Sequence, residues 1–432
     1  MDELGLTLIF LTVLFLFLGS GVWVAASLIG VAAIGMLLFT TRPVGDAMAT
    51  TIWGASSSWT LTALPLFIWM GEILFRTKLS ENLFKGLTPL LARLPGGLLH
   101  VNIAGCTIFA AISGSSAATV ATVGKMSIPE LRQRQYPEKM IIGTLAGAGT
   151  LGLLIPPSIT LIIYGVTVNE SIAQLFIAGV FPGLMLAALF MGYVAVWGLF
   201  SGKGEGESVK KHNGRLKDVL QLLPILFLIS AVMGSIYAGI ATATEAAVLG
   251  VVGALLLSAL QRSLTRKSFM EALLGATKTS AMIAFILAGS TFLSLTMGFT
   301  GLPRTLAEWI GGLSLSPWML IFALMVFYII LGCFLDGISS VVLTMAVIEP
   351  LVRQAGFDMI WFGIFLMVVV EMAQITPPVG FNLFVLQGMT GKDMAFIARA
   401  AAPMFFLMVI AVVILALFPQ IATFLPEAMS RR

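Results

Sequence analysis

Three acidic side chains lie within apolar stretches of this sequence and could hold a cation or a proton there. They are Glu245, Asp336 and Glu371. An ionised group inside a membrane is costly unless it is paired or hydrated, so function is the default hypothesis for each. Asp336 could equally cap a helix that begins at Gly337. Glu245 is near a predicted helix start, where the helix dipole favours an acidic residue, so a structural role is favoured for it. The role of Glu371 stays open.

Small polar residues divide two other apolar stretches at their centres. The run SGSS (113–116) interrupts 97–128, and the run DGISS (336–340) interrupts 318–348. Non-helical backbone at membrane depth must be surrounded by protein or water. Each stretch therefore predicts a re-entrant hairpin with polar residues at its apex, rather than one long helix.

Tandem prolines interrupt two further apolar runs, 139–166 and 359–387. The pairs are Pro156-Pro157 and Pro377-Pro378. Proline lacks a backbone N–H and clashes with the preceding turn, so each pair should unwind its helix. A single proline would be interpreted as a kink that only shapes packing. Two tandem pairs at matching positions favour the central binding site of a transporter, where discontinuous helices meet.

Helix ends at these breaks and apices could bind ions of both signs. C-terminal ends expose carbonyl groups, which suit Na⁺, and N-terminal ends expose N–H groups, which suit a carboxylate. Nearby hydroxyl groups could add oxygen ligands or could only satisfy the backbone, and the two roles are compatible. These hydroxyl groups belong to Ser115, Ser116, Ser158, Ser339, Ser340 and Thr376.

The composition places these segments in a membrane. Of 432 residues, 59% are hydrophobic and only 10% are charged, whereas a soluble domain has about 25% charged residues. The apolar runs are long enough to cross a bilayer as helices. We predict an all-α polytopic membrane protein with about ten spanning helices, at 4–18, 21–39, 57–76, 139–166, 171–200, 218–238, 241–261, 276–298, 359–387 and 393–424.

The basic residues set the predicted orientation. With the N-terminus outside, 19 of the 24 Lys and Arg residues fall in inner loops, as the positive-inside rule requires. The net charge of +4 therefore reports topology and does not indicate a nucleic-acid partner. The sequence contains no HExxH, P-loop or nucleophile-elbow motif, so we expect no enzyme activity and no cofactor beyond a coupling ion.

The two halves of the chain repeat each other. The proline pairs are 221 residues apart, and Gly114 and Gly337, the central glycines of the two apices, are 223 apart. Five spanning helices per half is an odd number, so the second half must be inverted relative to the first. We predict a first repeat at 1–200, a cytoplasmic linker at 201–217 and a second repeat at 218–432.

Five segments together resemble the large membrane subunit of the tripartite ATP-independent periplasmic (TRAP) transporters, and the resemblance covers nearly the whole chain. It implies an elevator-type, Na⁺-coupled importer of organic acids in a bacterial inner membrane. It also implies two partners, a small membrane subunit and a periplasmic substrate-binding protein. The segments are FAAISGSSAATVATVGKMSIPEL (109–131), GTLAGAGTLGLLIPPSI (143–159), GIATATEAAVLG (239–250), FLDGISS (334–340) and QITPPVGFNLFV (374–385).

The resemblance also implies where the sites lie. The sequence departs from the family pattern at Ala243 and Ala346, where proline is usual, and at Glu349, where an apolar residue is usual. These departures make the detailed geometry of the sites in the second half harder to infer from the family. The implied substrate contacts are Ser115, Ser116, Ser158, Ser339 and Ser340. The implied Na⁺ ligands are Ser113, Gly114, Ser115, Pro156, Asp336, Gly337, Ser339, Thr376 and Gly380.

Other functions are weighed against this one. A stand-alone Na⁺/anion symporter would need no binding protein, and a channel would favour a continuous polar pore, which the two apices would interrupt. Na⁺ is favoured over protons because the first apex and its proline pair contain no Asp, Glu or His. In the expected elevator motion, basic segments at 76–93 and 262–278 would form amphipathic braces at the membrane interface.

Overall fold

The computed structural model describes residues 3–77, 79–201, 219–301, 316–333, 335–378 and 380–430. These parts of the chain form α-helices joined by short turns, and they contain no β-strand. The all-helical prediction is therefore confirmed. Apart from Ser201, which ends a helix, the predicted linker 201–217 lies outside the described residues.

Ten α-helices belong to the first half and nine to the second, counted over the described residues. The first ten are α1 (Glu3–Gly19), α2 (Val24–Phe39), α3 (Val44–Ser56), α4 (Ala63–Phe75), α5 (Leu79–Leu91), α6 (Leu98–Ser113), α7 (Ser116–Gln133), α8 (Glu138–Thr150), α9 (Ile159–Thr167) and α10 (Ile172–Ser201). The others are α11 (Leu223–Tyr237), α12 (Ala243–Leu260), α13 (Arg266–Thr300), α14 (Pro317–Gly332), α15 (Gly337–Gln354), α16 (Met359–Gln374), α17 (Phe381–Thr390), α18 (Met394–Leu417) and α19 (Gln420–Ser430).

Every predicted span coincides with a helix or with a broken pair of helices. Four helices, α10, α12, α13 and α18, are long and apolar enough to cross a membrane on their own. Shorter apolar helices, including α2, α4, α9, α11 and α16, belong to other predicted spans. Two of the runs consist of successive helices, α8 with α9 and α16 with α17, because the proline pairs separate them. The Pro156–Pro157 and Pro377–Pro378 peptide bonds are both cis.

Both predicted hairpins are present. In the first, α6 ends at Gly114, whose φ of +58° favours glycine, and α7 begins after Ser115. In the second, Asp336 caps α15 a few residues after the end of α14. The two arms of each hairpin pack against each other, and each hairpin also packs against the broken helix of its own half.

The halves exchange equivalent contacts. Helix α7 of the first hairpin packs on α17, and α15 of the second hairpin packs on α9. Likewise α8 packs on α18, and α16 packs on α10. Each hairpin therefore lies against the broken helix of the opposite half, as two related repeats require. The repeat boundaries themselves stay a prediction.

Equivalent arginines reinforce this exchange. Arg132, at the end of α7, pairs with Glu138 and donates to the carbonyl of Thr390 at the end of α17 (3.5 Å). Arg353, 221 residues later, pairs with Glu170 (3.2 Å) and donates to the carbonyl of Val168 beyond α9 (3.1 Å). Partly exposed ion pairs add little stability individually, so these contacts fix the position of each hairpin more than they stabilise the fold.

Two sequence-based expectations need correction, and one helix was not predicted. Residues 262–278 do not form a separate brace, because Thr265 caps α13, which then continues unbroken to Thr300. Helix α5, in contrast, is a separate helix within the first predicted brace. Helix α3 was not predicted, and its described side chains are not fully buried. The last run divides at Phe418 into α18 and α19.

Candidate functional site

A short 3₁₀ turn, Leu151–Leu153, lies at the centre of the candidate site. It follows α8 and contacts α6 and α7, which are the two arms of the first hairpin. It also contacts α16, which belongs to the broken helix of the second half. A Cβ atom at Gly152 would lie 2.6 Å from the carbonyl carbon of Ser115. A Cβ atom at Gly337 would lie 3.3 Å from Leu153 Cδ1. The first break therefore brings the two predicted apices together.

The first apex closes on itself through hydroxyl groups. The Ser113 and Thr119 hydroxyl oxygens are 2.8 Å apart, and the Thr119 hydroxyl donates to the Ser115 carbonyl (2.8 Å). The backbone N–H of Ser115 donates to Ser113 Oγ (3.3 Å). Ser115 itself makes no side-chain capping bond to α7 and is only half-buried. Its hydroxyl is thus the one best placed to meet a ligand.

The first break is buried and joined to this apex. Pro156, Pro157 and Ser158 are buried, and the N–H of Ile159 donates to the Gly114 carbonyl (3.4 Å). Ser158 caps α9 by accepting the N–H of Leu161 (3.3 Å), and its hydroxyl donates to the Leu153 carbonyl. The capping role considered for Ser158 is therefore observed, and its only hydrogen is already used.

Ser116 connects the first apex to the second half. Both amide atoms of Asn382 lie near its hydroxyl, Nδ2 at 2.6 Å and Oδ1 at 2.9 Å. The two residues are 266 positions apart, and both are buried. Sequence reasoning missed Asn382. The signal was an amide side chain just after the second proline pair, in a segment otherwise apolar.

The second apex contains a capped helix and a serine hydroxyl that makes no hydrogen bond within the described residues. Asp336 accepts the N–H of Ile338 (3.3 Å), so the capping role, one of the two alternatives for this residue, is observed. Ser339 and Ser340 are buried, and Ser340 Oγ has no hydrogen-bond partner among the described residues. A Cβ atom at Gly337 would lie 3.2 Å from Gln374 Nε2, which places this apex against the end of α16.

The second break is more open than the first. The Thr376 hydroxyl donates to the Met372 carbonyl (2.7 Å). Pro377 and Pro378 are exposed, unlike the first proline pair. Gly380 precedes α17 and approaches the Thr376 carbonyl closely. The predicted residues of this break are therefore neighbours on the more accessible side of the site.

Glu371, whose role the sequence left open, is a second residue whose partner the sequence did not reveal. It belongs to α16 of the second half and is fully buried, yet its Oε2 lies 3.3 Å from the hydroxyl of Thr150, at the end of α8. The first apex and its proline pair contain no Asp, Glu or His of their own, but the fold brings a carboxyl of the second half to the end of α8. The two residues are 221 positions apart, so no local pattern could have revealed their contact.

Glu245 has the structural role that the sequence favours. Its carboxylate accepts the N–H of Thr242 (2.8 Å), and its own N–H donates to Thr242 Oγ1 (3.3 Å). This reciprocal pair is a capping box that starts α12. Ala243, where the related sequences usually have proline, is the first residue of that helix and leaves the cap intact.

Comparisons with known proteins identify relatives over most of the chain. The profile of the family described as tripartite ATP-independent periplasmic transporter, DctM component, matches residues 11–421. The chain is 32% identical to the C4-dicarboxylate TRAP transporter large permease protein of Pseudomonas aeruginosa, over 91% of this chain and 92% of that one. It is also 32% identical to the isethionate TRAP transporter permease protein DctMQ of Oleidesulfovibrio alaskensis, over 95% of this chain and 64% of that one.

A solved structure shares the fold. The crystal structure of the Alcanivorax borkumensis YdaH transporter matches with a TM-score of 0.64, over 96% of this chain and 98% of that one. The two sequences are 11% identical, so the likeness concerns the fold alone.

Proposed function

Because the chain belongs to the DctM family of tripartite ATP-independent periplasmic transporters, we propose that it imports a small organic acid, driven by Na⁺, across a bacterial inner membrane. It is a multi-pass membrane protein, and its relatives are named transporter permeases. In this proposal it works with a small membrane subunit and a periplasmic substrate-binding protein.

The meeting of both apices at the first break is the observation that carries the proposal. The carbonyl group of Ser115 lies beside Gly152 of the turn Leu151–Leu153, and Gly337 of the second apex lies against the side chain of Leu153. Ser115 has no capping bond, and Ser340 Oγ has no partner among the described residues. The carbonyls of Gly114 and Leu153 each accept one hydrogen bond and keep a second lone pair. These oxygen atoms, with few charged groups near them, would suit Na⁺ at each of the two apices.

An anionic substrate fits the same region. Helix α7 begins at the first apex without a side-chain cap, and helix N-termini attract anions through their free N–H groups. The sequence has no Lys or Arg from 94 to 124 or from 305 to 352, so recognition would rest on backbone and hydroxyl groups. The relatives named above carry a dicarboxylate and isethionate in their names, which supports a small organic anion.

The proposed partners follow from the family. The Oleidesulfovibrio relative, named DctMQ, extends well beyond the region that this chain matches, consistent with a large subunit joined to another component. We expect uptake into liposomes only when the binding protein and the small subunit are both present. Radiolabelled organic acids are the assay. Uptake by the membrane subunits alone at the full rate would contradict this and would indicate a stand-alone symporter.

Transport is proposed to use an elevator motion, with the repeats at 1–200 and 218–432. The moving unit would contain both hairpins and both broken helices. Several contacts join this unit to the remaining helices; among them, α4 packs against α6, and the Ser290 hydroxyl of α13 donates to the Val342 carbonyl of α15 (2.6 Å). Such contacts must break if the unit slides.

A crosslink across that boundary tests the motion. A Cβ atom at Gly71 of α4 would lie 3.4 Å from Ser113 Cα. In a protein lacking Cys106 and Cys333, we expect the pair Gly71→Cys and Ser113→Cys to crosslink in one transport state only and to stop uptake until the disulfide is reduced. The control pair, Asn102→Cys with Thr144→Cys, lies inside the moving unit, so its crosslinking should not vary. Equal crosslinking of the first pair with and without Na⁺ and substrate would indicate a fixed site.

A further inference from the structure

Glu371 is a buried acid that the proposed transport mechanism does not use. It lies in α16 with none of its surface exposed. Oε2 is 3.3 Å from Thr150 Oγ1, and Oε1 has no partner among the described residues. The acid therefore joins a helix of the second half to the first break.

No counter-charge accompanies it in the described part of the chain. Helices α8, α9, α10, α14, α15, α17, α18 and α19 pack against α16, and no ion pair joins any of their charged side chains to Glu371. An ionised carboxylate in such a place would bear a large desolvation cost. The titratable side chains on these helices and at the cap of α15 are Glu138, Lys139, Tyr164, Tyr193, Tyr328, Asp336, Glu349, Arg353, Arg399 and Glu427.

The single hydrogen of the Thr150 hydroxyl also indicates that Glu371 is uncharged. A threonine hydroxyl has a single hydrogen. Thr150 is 2.8 Å from the carbonyl of Gly147 and 3.3 Å from Glu371 Oε2, so the shorter bond takes that hydrogen. The longer contact is then a hydrogen bond only if Glu371 supplies the hydrogen. A proton on Oε2 satisfies this contact and removes the buried charge at once.

We propose that Glu371 is held protonated, donates to Thr150, and so positions the first break for Na⁺ binding. The neutral carboxyl fixes the end of α8 at Thr150, immediately before the turn Leu151–Leu153 that lies against both apices. Glu371 is thus a positioning residue that acts on the cation site of the opposite repeat. This inference rests on the proposed Na⁺-driven function, but its central feature, the proton, can be observed without transport.

The first test observes the proton directly. Infrared spectra of the purified protein at neutral pH should show the C=O stretch of a protonated carboxylic acid. That band should disappear in Glu371→Gln and in Glu371→Leu. Glu245→Gln is the matched control, because Glu245 is exposed and accepts two bonds from Thr242, and it should leave the band unchanged. Absence of the band in the wild-type protein would overturn the proposal, whatever the coupling ion proves to be.

The second test separates a neutral hydrogen-bond donor from a charged ligand. Glu371→Leu removes the bond to Thr150 and should weaken the apparent Na⁺ affinity of uptake about tenfold. Glu371→Gln keeps an N–H donor at the same place and should recover most of that loss. If the glutamine variant is as impaired as the leucine variant, the negative charge is needed and the proposal fails. Loss of a pH-gradient-driven component in the glutamine variant would show instead that Glu371 releases its proton during transport.

Discussion

Replacing Gly152 by alanine is expected to reduce uptake about tenfold or more while leaving the protein folded and in the membrane. The added Cβ atom would lie 2.6 to 2.8 Å from backbone atoms of Ser115 and Ser116. Backbone atoms cannot rotate away, so the first apex must shift from the break. Overpacking of this kind costs about 1–3 kcal/mol, and about 1.4 kcal/mol is a tenfold change in an equilibrium. Initial uptake rates at saturating and limiting Na⁺ are the measurement.

A matched glycine provides the control. Gly192 lies in α10, and a Cβ atom there would have no neighbour within 4 Å. Alanine is favoured over glycine within a helix by about 1 kcal/mol, so Gly192→Ala should transport as the wild type does. If Gly152→Ala also transports normally, the close packing of apex and break is not needed for function, and the site must lie elsewhere.

The features that could be predicted from the sequence have local causes. The two apices were predictable because small polar residues interrupt apolar runs, and the two breaks because tandem prolines cannot continue a helix. The structural role of Glu245 was predictable because a capping box involves residues only three positions apart. In each case the physical cause lies within a few residues of its effect.

The features that were missed depend on the tertiary fold or on the continuity of a helix. The contacts of Glu371 with Thr150 and of Asn382 with Ser116 join residues more than 200 positions apart. A local pattern does not specify such partners. The predicted brace at 262–278 failed because its basic residues suggested an interfacial segment, whereas no proline interrupts α13 between its cap and Thr300. Charge indicated a boundary that the backbone does not have.

The second large effect concerns the coupling ion. Na⁺ is expected to drive uptake and to bind at least once in each half, because each apex has a serine hydroxyl that is available to a ligand, Ser115 in the first and Ser340 in the second. Ser115→Ala and Ser339→Ala should each weaken the apparent Na⁺ affinity more than they weaken docking of the binding protein. Protons are the rival coupling ion. Glu371 is the residue that would carry them, because its carboxyl lies at the first break.

The most direct test uses liposomes that contain the large and small subunits, with the binding protein and its organic acid outside. Uptake is measured under an inward Na⁺ gradient without a pH gradient, and under a pH gradient of equal driving force without Na⁺. The proposed mechanism predicts accumulation in the first case, with a Na⁺ dependence steeper than for a single site, and none above background in the second. Accumulation that follows the pH gradient and ignores Na⁺ would contradict it.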